Sequence, residues 1–67
     1  MSDTTVHIVP DKLSDGSMVY NVVIPVCGRS LLFAAVTEHD AHVLAETIVN
    51  AIEEHTVNAA RVVVESH

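Results

Sequence analysis

The chain has more two-sided strand than one helix can cover. Residues 20–26 and 31–36 are nearly unbroken apolar runs, and Val62-Val63-Val64 repeats the pattern after Arg61. Strands that are apolar on both faces belong in sheets covered on both sides. The remaining sequence offers one helix, and one helix shields one face of a small sheet. The second face must therefore stay wet, meet a second copy of the chain, or meet a different protein. This surplus points to a binding surface rather than to a chemistry.

Size sharpens the argument. A chain of 67 residues is expected to form one domain, 1–67. At that length only about 60% of the unfolded surface is buried, so association, disulfides or metals are the usual reinforcements. Cys27 is the only cysteine. It excludes an internal disulfide and a Cys-rich zinc site, and a lone thiol suits a reducing compartment. Association remains, so a homodimer or higher homo-oligomer is expected.

Charge limits the partners. The formal net charge is −6, with Lys12, Arg29 and Arg61 as the three cations. So few cations cannot neutralise a phosphate backbone, and direct nucleic-acid binding is not expected. The field favours a basic protein partner, such as a nucleic-acid-handling protein. No apolar run approaches a membrane span, and residues 1–11 lack the basic and apolar regions of a signal peptide. A cytoplasmic location is the expectation.

The fold expected is α+β: a small antiparallel-rich sheet in β-β-β-α-β order, with one amphipathic helix packed on one face. Residues 1–4 are expected to fray. A strand over 5–9 is ended or bent by Pro10. Ser14-Asp15-Gly16-Ser17 marks a turn before a strand over 18–26. Cys27-Gly28-Arg29-Ser30 reads as a four-residue loop centred on Gly28-Arg29, leading into a strand over 31–36. That register opposes Ile24 to Phe33, Val22 to Ala35 and Val26 to Leu31. It places Tyr20, Val22, Ile24, Val26, Leu31, Phe33 and Ala35 on the core face. Val19, Asn21, Val23, Pro25, Leu32, Ala34 and Val36 form the second face. The loop length is chosen to turn the Pro25 nitrogen away from Leu32.

A helix is expected over about 38–55. Thr37 is a good N-cap, and Asp40 adds an acid at the positive helix end. Ala41, Leu44, Ala45, Ile48, Ala51, Ile52 and His55 form its apolar stripe, with His55 half-buried near the C-terminus. His39, His42, Glu46, Asn50 and Glu53 lie opposite, with Val43 among them. A last strand is expected over 60–65.

Few residues form a chemical constellation. His39, His42 and Glu46 are spaced i, i+3, i+7 on one helix face, which makes them candidate metal or small-ligand contacts and carries the alternative reading of a metal-binding domain. A His42–Glu46 helix pair on a solvated face is the plainer account. Cys27 lies two residues from Arg29, but no histidine lies near it in sequence to serve as a base. Glu53 and Glu54 diverge by about 100° around the helix and form no acid/base pair. No catalytic residue, cofactor or essential metal is expected, and the chain is read as a non-enzyme. Arg29, Leu32, Val43, Glu46 and Glu53 are the candidate partner contacts.

Over residues 15–45 the order of elements and the spacing of Asp15-Gly16, Tyr20, Pro25, Thr37-Glu38 and Asp40-Ala41 resemble HicB-type antitoxins. The resemblance implies a small acidic protein that blocks a toxin partner. The Asp-Leu-Pro-Gly loop of that family is replaced by Val26-Cys27-Gly28 after Pro25, and no DNA-binding extension follows. In size and acidity the chain is also similar to small phage-encoded inhibitors, including some anti-CRISPR proteins. The function expected is therefore a small, acidic, inhibitory or regulatory protein-binding module that self-associates and docks on a partner protein.

Overall fold

The computed structural model describes residues Asp3–Glu65. They form a four-stranded mixed sheet in the order β3-β2-β1-β4. In chain order the elements are β1 (Thr4–Lys12), β2 (Met18–Val26), β3 (Arg29–Ala35), α1 (Glu38–His55) and β4 (Ala60–Val64). The first three strands are an antiparallel meander, and β4 joins the far side of β1 in parallel. The segment from β3 through α1 to β4 thus crosses the sheet from one edge to the other. This is the α+β class and element order that the sequence predicts. The expected fraying of residues 1–4 lies partly outside the described residues, but Thr4 is already in β1, where its N–H donates to the Ala59 carbonyl at 2.9 Å.

The β2–β3 hairpin is tighter than expected. Cys27 and Gly28 alone form the loop, with φ of +49° and +78°. Positive φ at both central residues suits the right-handed twist of the flanking strands. Val22 consequently pairs with Phe33, Ile24 with Leu31, and Val26 with Arg29. The expected register is off by two residues, so the assignment of residues to faces survives and the partners change. Pro25 is accommodated by a different route. A two-residue loop makes Val26–Arg29 a hydrogen-bonded pair and Pro25–Ser30 a non-hydrogen-bonded one. The Pro25 nitrogen then points toward β1, whose pairing with β2 ends at His7–Val23.

The same geometry corrects the end of β1. Pro10 does not terminate the strand, which runs on to Lys12 opposite Met18. Even-numbered residues of β1 direct their main chain toward β4, as the Glu65 N–H to Ile8 carbonyl bond of 2.8 Å shows. Position 10 therefore faces away from β2, and a proline there removes no β1–β2 hydrogen bond. The β1–β2 turn is braced by Asp15. Its carboxylate accepts from the Ser17 N–H at 2.9 Å and the Ser17 hydroxyl at 2.5 Å. These two bonds lower the Asp15 pKa from its ordinary value.

The helix matches its expected bounds. Thr37 Oγ1 accepts from the Asp40 N–H at 3.1 Å, which satisfies one orphan donor of the first turn. At the other end Thr56 donates both its N–H and its hydroxyl to the Ile52 carbonyl. Ala41 and Ala45 are fully buried and bring the helix axis close to the sheet. Leu44, Ile48, Val49 and Val62 pack around the core. Ala51 and His55, expected on the buried stripe, are exposed, and Val49 takes part in the packing instead.

The core is narrow. Val6, Ile8, Val22 and Ile24 are its sheet members, all on the two central strands. Phe33, expected in the core, is on the helix side of the sheet but is exposed, as are Leu31 and Val64. The reason is the path of the helix. It leaves the C-terminal end of β3, where Ala35 packs on the core, and runs to the start of β4. On that diagonal it covers β1 and β2 and reaches Ala35 at one edge and Val62 at the other, leaving Leu31, Phe33 and Val64 uncovered.

Candidate interaction surface

The side of the sheet away from the helix has nothing packed on it among the described residues. Its middle is a row running straight across all four strands. Leu32 pairs with Val23, Val23 with His7, and His7 with Val63. Leu32 at the β3 edge is 63% exposed, and Val63 at the β4 edge is exposed as well. Val9, Val19 and Ala34 extend the apolar area, with Asn21 between them, while Ser30, Pro25, Thr5 and Arg61 border it. Arg61 Nε donates to Thr5 Oγ1 at 3.4 Å along this border.

His7 is the polar centre of the row, and its setting is unusual. Nδ1 is buried and lies 3.3 Å from Glu65 Oε2, yet the alignment does not make a hydrogen bond. The two side chains are about half-exposed overall, so the contact is a loose charge approach rather than a buried pair. His7 is not among the residues singled out from the sequence. The signal is present in the alternation of Val6 and Ile8 against Thr5, His7 and Val9, which puts His7 opposite the core.

The residues singled out from the sequence are scattered. Leu32 is on the open sheet face. Arg29 starts β3 beside the hairpin turn, on the helix side. Val43, Glu46 and Glu53 are exposed on the helix, across the sheet from Leu32. They do not form one surface. Glu53 also serves the fold, since its Oε2 accepts from the Ala60 N–H at 3.5 Å and ties the helix to the start of β4. His42 Nε2 approaches Glu38 Oε1 at 3.7 Å, one turn before it, rather than Glu46. His39, His42 and Glu46 are not gathered, and no group of three or more potential metal ligands occurs among the described residues.

A shallow concavity opens at one end of the sheet, between the 25–30 hairpin turn, Asp3, Thr4 and Asn58. The exposed Cys27 thiol is on its rim. Among the described residues no histidine lines it. Among the described residues no helix is long and apolar enough to cross a membrane. No family model, curated protein or solved structure matches the chain.

Proposed function

We propose that the chain is a non-enzymatic protein-binding module, inhibitory or regulatory in role, and that its open sheet face is the docking surface. The observation that carries this reading is the row Leu32, Val23, His7 and Val63, which crosses the whole sheet with nothing packed on it among the described residues. An apolar area with two polar groups, His7 and Asn21, within it and a polar border has the composition of a protein-binding patch. The net charge of −6 favours a basic partner, such as a nucleic-acid-handling protein.

The test is recovery of the tagged chain from its native cells as wild type, Val23→Lys and Glu46→Lys, with far-UV circular dichroism to confirm each fold. A stoichiometric partner that is lost with Val23→Lys and kept with Glu46→Lys supports the reading. Binding should also weaken between low and high salt. A partner retained by Val23→Lys overturns the sheet face as the docking surface.

A further inference from the structure

We infer that two copies of the chain join edge to edge through β3, forming a continuous eight-stranded sheet with both helices on the same side. β3 is an unguarded edge. All of Arg29–Ala34 is exposed, and within Ser30–Ala35 there is no charge, no proline and no bulge to discourage pairing. Natural edges carry such guards because their free main-chain groups template another strand.

The register follows from the hairpin. With Val26–Arg29 hydrogen-bonded, residues 29, 31, 33 and 35 direct their N–H and C=O groups to β2. Ser30, Leu32 and Ala34 direct theirs outward. An antiparallel pairing centred on Leu32 sets Leu32 against its own copy and Ser30 against Ala34, so all the outward groups are used, in about six main-chain bonds. The twofold axis is then perpendicular to the sheet. Leu31 of each copy meets Phe33 of the other on the helix side, the side that α1 leaves bare, and the two Leu32 side chains meet on the open face.

Charge limits where a second copy can dock. Two chains of net charge −6 repel, so self-association requires an uncharged contact. Ser30–Ala34 is an exposed, uncharged stretch that supplies one. The same pairing sets Arg29 of each copy against Ala35 of the other, beside a helix start that carries Glu38 and Asp40. The strand with its three large apolar side chains buries on the order of 1,000 Å2 in total, the low end for a specific interface, so a micromolar dissociation constant is expected. This dimer is separate from partner docking on the sheet face and stands or falls without it.

The experiment combines sedimentation equilibrium with amide hydrogen exchange followed by NMR across micromolar to millimolar concentration. Wild type should dimerise, and the Ser30, Leu32 and Ala34 amides should become protected as the dimer fills. Ala34→Pro removes an outward N–H without touching the β2 ladder and should raise the dissociation constant at least about tenfold. Arg29→Glu should also weaken the dimer. If Ala34→Pro does not fold, the wild-type exchange pattern alone decides. A monomer throughout the range overturns the proposal, and so does a dimer in which those three amides exchange freely.

Discussion

Val22 and Phe33 are direct partners across the β2–β3 ladder and point to the same side of the sheet, yet Val22 is 0% exposed and Phe33 is 45% exposed. The step between them marks the edge of the helix's cover. Leu31 and Ile24 repeat it one row away. Substitutions should read the same boundary. Val22→Ala removes fully buried methyl groups and is expected to cost about 2–3 kcal/mol. Phe33→Ala, though it deletes far more atoms, should cost only about 1–2 kcal/mol in the monomer. Urea melts at a concentration where the chain is monomeric will rank them, and the reverse order would place the helix over β3.

The hairpin turn gives a test that involves no packing. Cys27 holds a positive φ, which asparagine and glycine tolerate better than other residues. Cys27→Asn should stabilise the chain by about 0.5–1 kcal/mol. Gly28→Ala adds a Cβ that meets nothing within 4 Å, so its cost is purely conformational. About 1–2 kcal/mol is expected. Denaturant midpoints measure both.

His7 interrupts an otherwise apolar row, with a ring nitrogen that is hidden from water and makes no hydrogen bond. His7→Val should therefore raise the stability of the isolated chain, by about 0.5–1.5 kcal/mol. It should also lower solubility, because the row from Leu32 through Val23 to Val63 would then be apolar without a break. Glu65→Ala should cost less than about 1 kcal/mol, because its contact with His7 is loose and half-exposed. Thermal melts and precipitation limits report the two effects separately.

The Asp15–Ser17 brace predicts a pH dependence. The two hydrogen bonds from Ser17 favour the ionised carboxylate and depress its pKa in the folded chain. A carboxylate with a depressed folded pKa adds stability above its unfolded pKa and loses that contribution as pH falls through the folded value. The β1–β2 turn should thus stay braced near pH 4, where an unperturbed aspartate is about half protonated, and loosen only as the pH falls further. Ser17→Ala should move the Asp15 titration back up, as followed by carboxyl NMR shifts. An unchanged midpoint would remove Ser17 as the cause.

Local patterns are legible in the sequence and lateral ones are not. Thr37 with Asp40 marks the helix start, and the apolar repeat from Ala41 to Ile52 fixes its span. Alternation along β2 and β3 assigns every residue to its correct face, even with the register off by two, because the side-chain period is itself two. The turn is misplaced from sequence because Cys27 gives no sign that it accepts a positive φ. Phe33 is misplaced because alternation names a face and says nothing of how far across it a helix reaches. The row through His7 needs the strand order, and nothing local to β1 or β4 shows that they lie side by side.

That parallel pairing has a consequence for the order of assembly. The meander of β1, β2 and β3 is made of near-neighbour contacts and can form early. Val6 with Val62 and Ile8 with Val64 join residues from opposite ends of the chain, so their loop closes last. Until it does, Val6 and Ile8 lack β4 beside them, and the even-numbered main-chain groups of β1 form a second templating edge. The strand synthesised last thus protects the strand synthesised first. Kinetic trapping and misassembly should be governed by how quickly Ala60–Val64 docks rather than by how stable the finished sheet is.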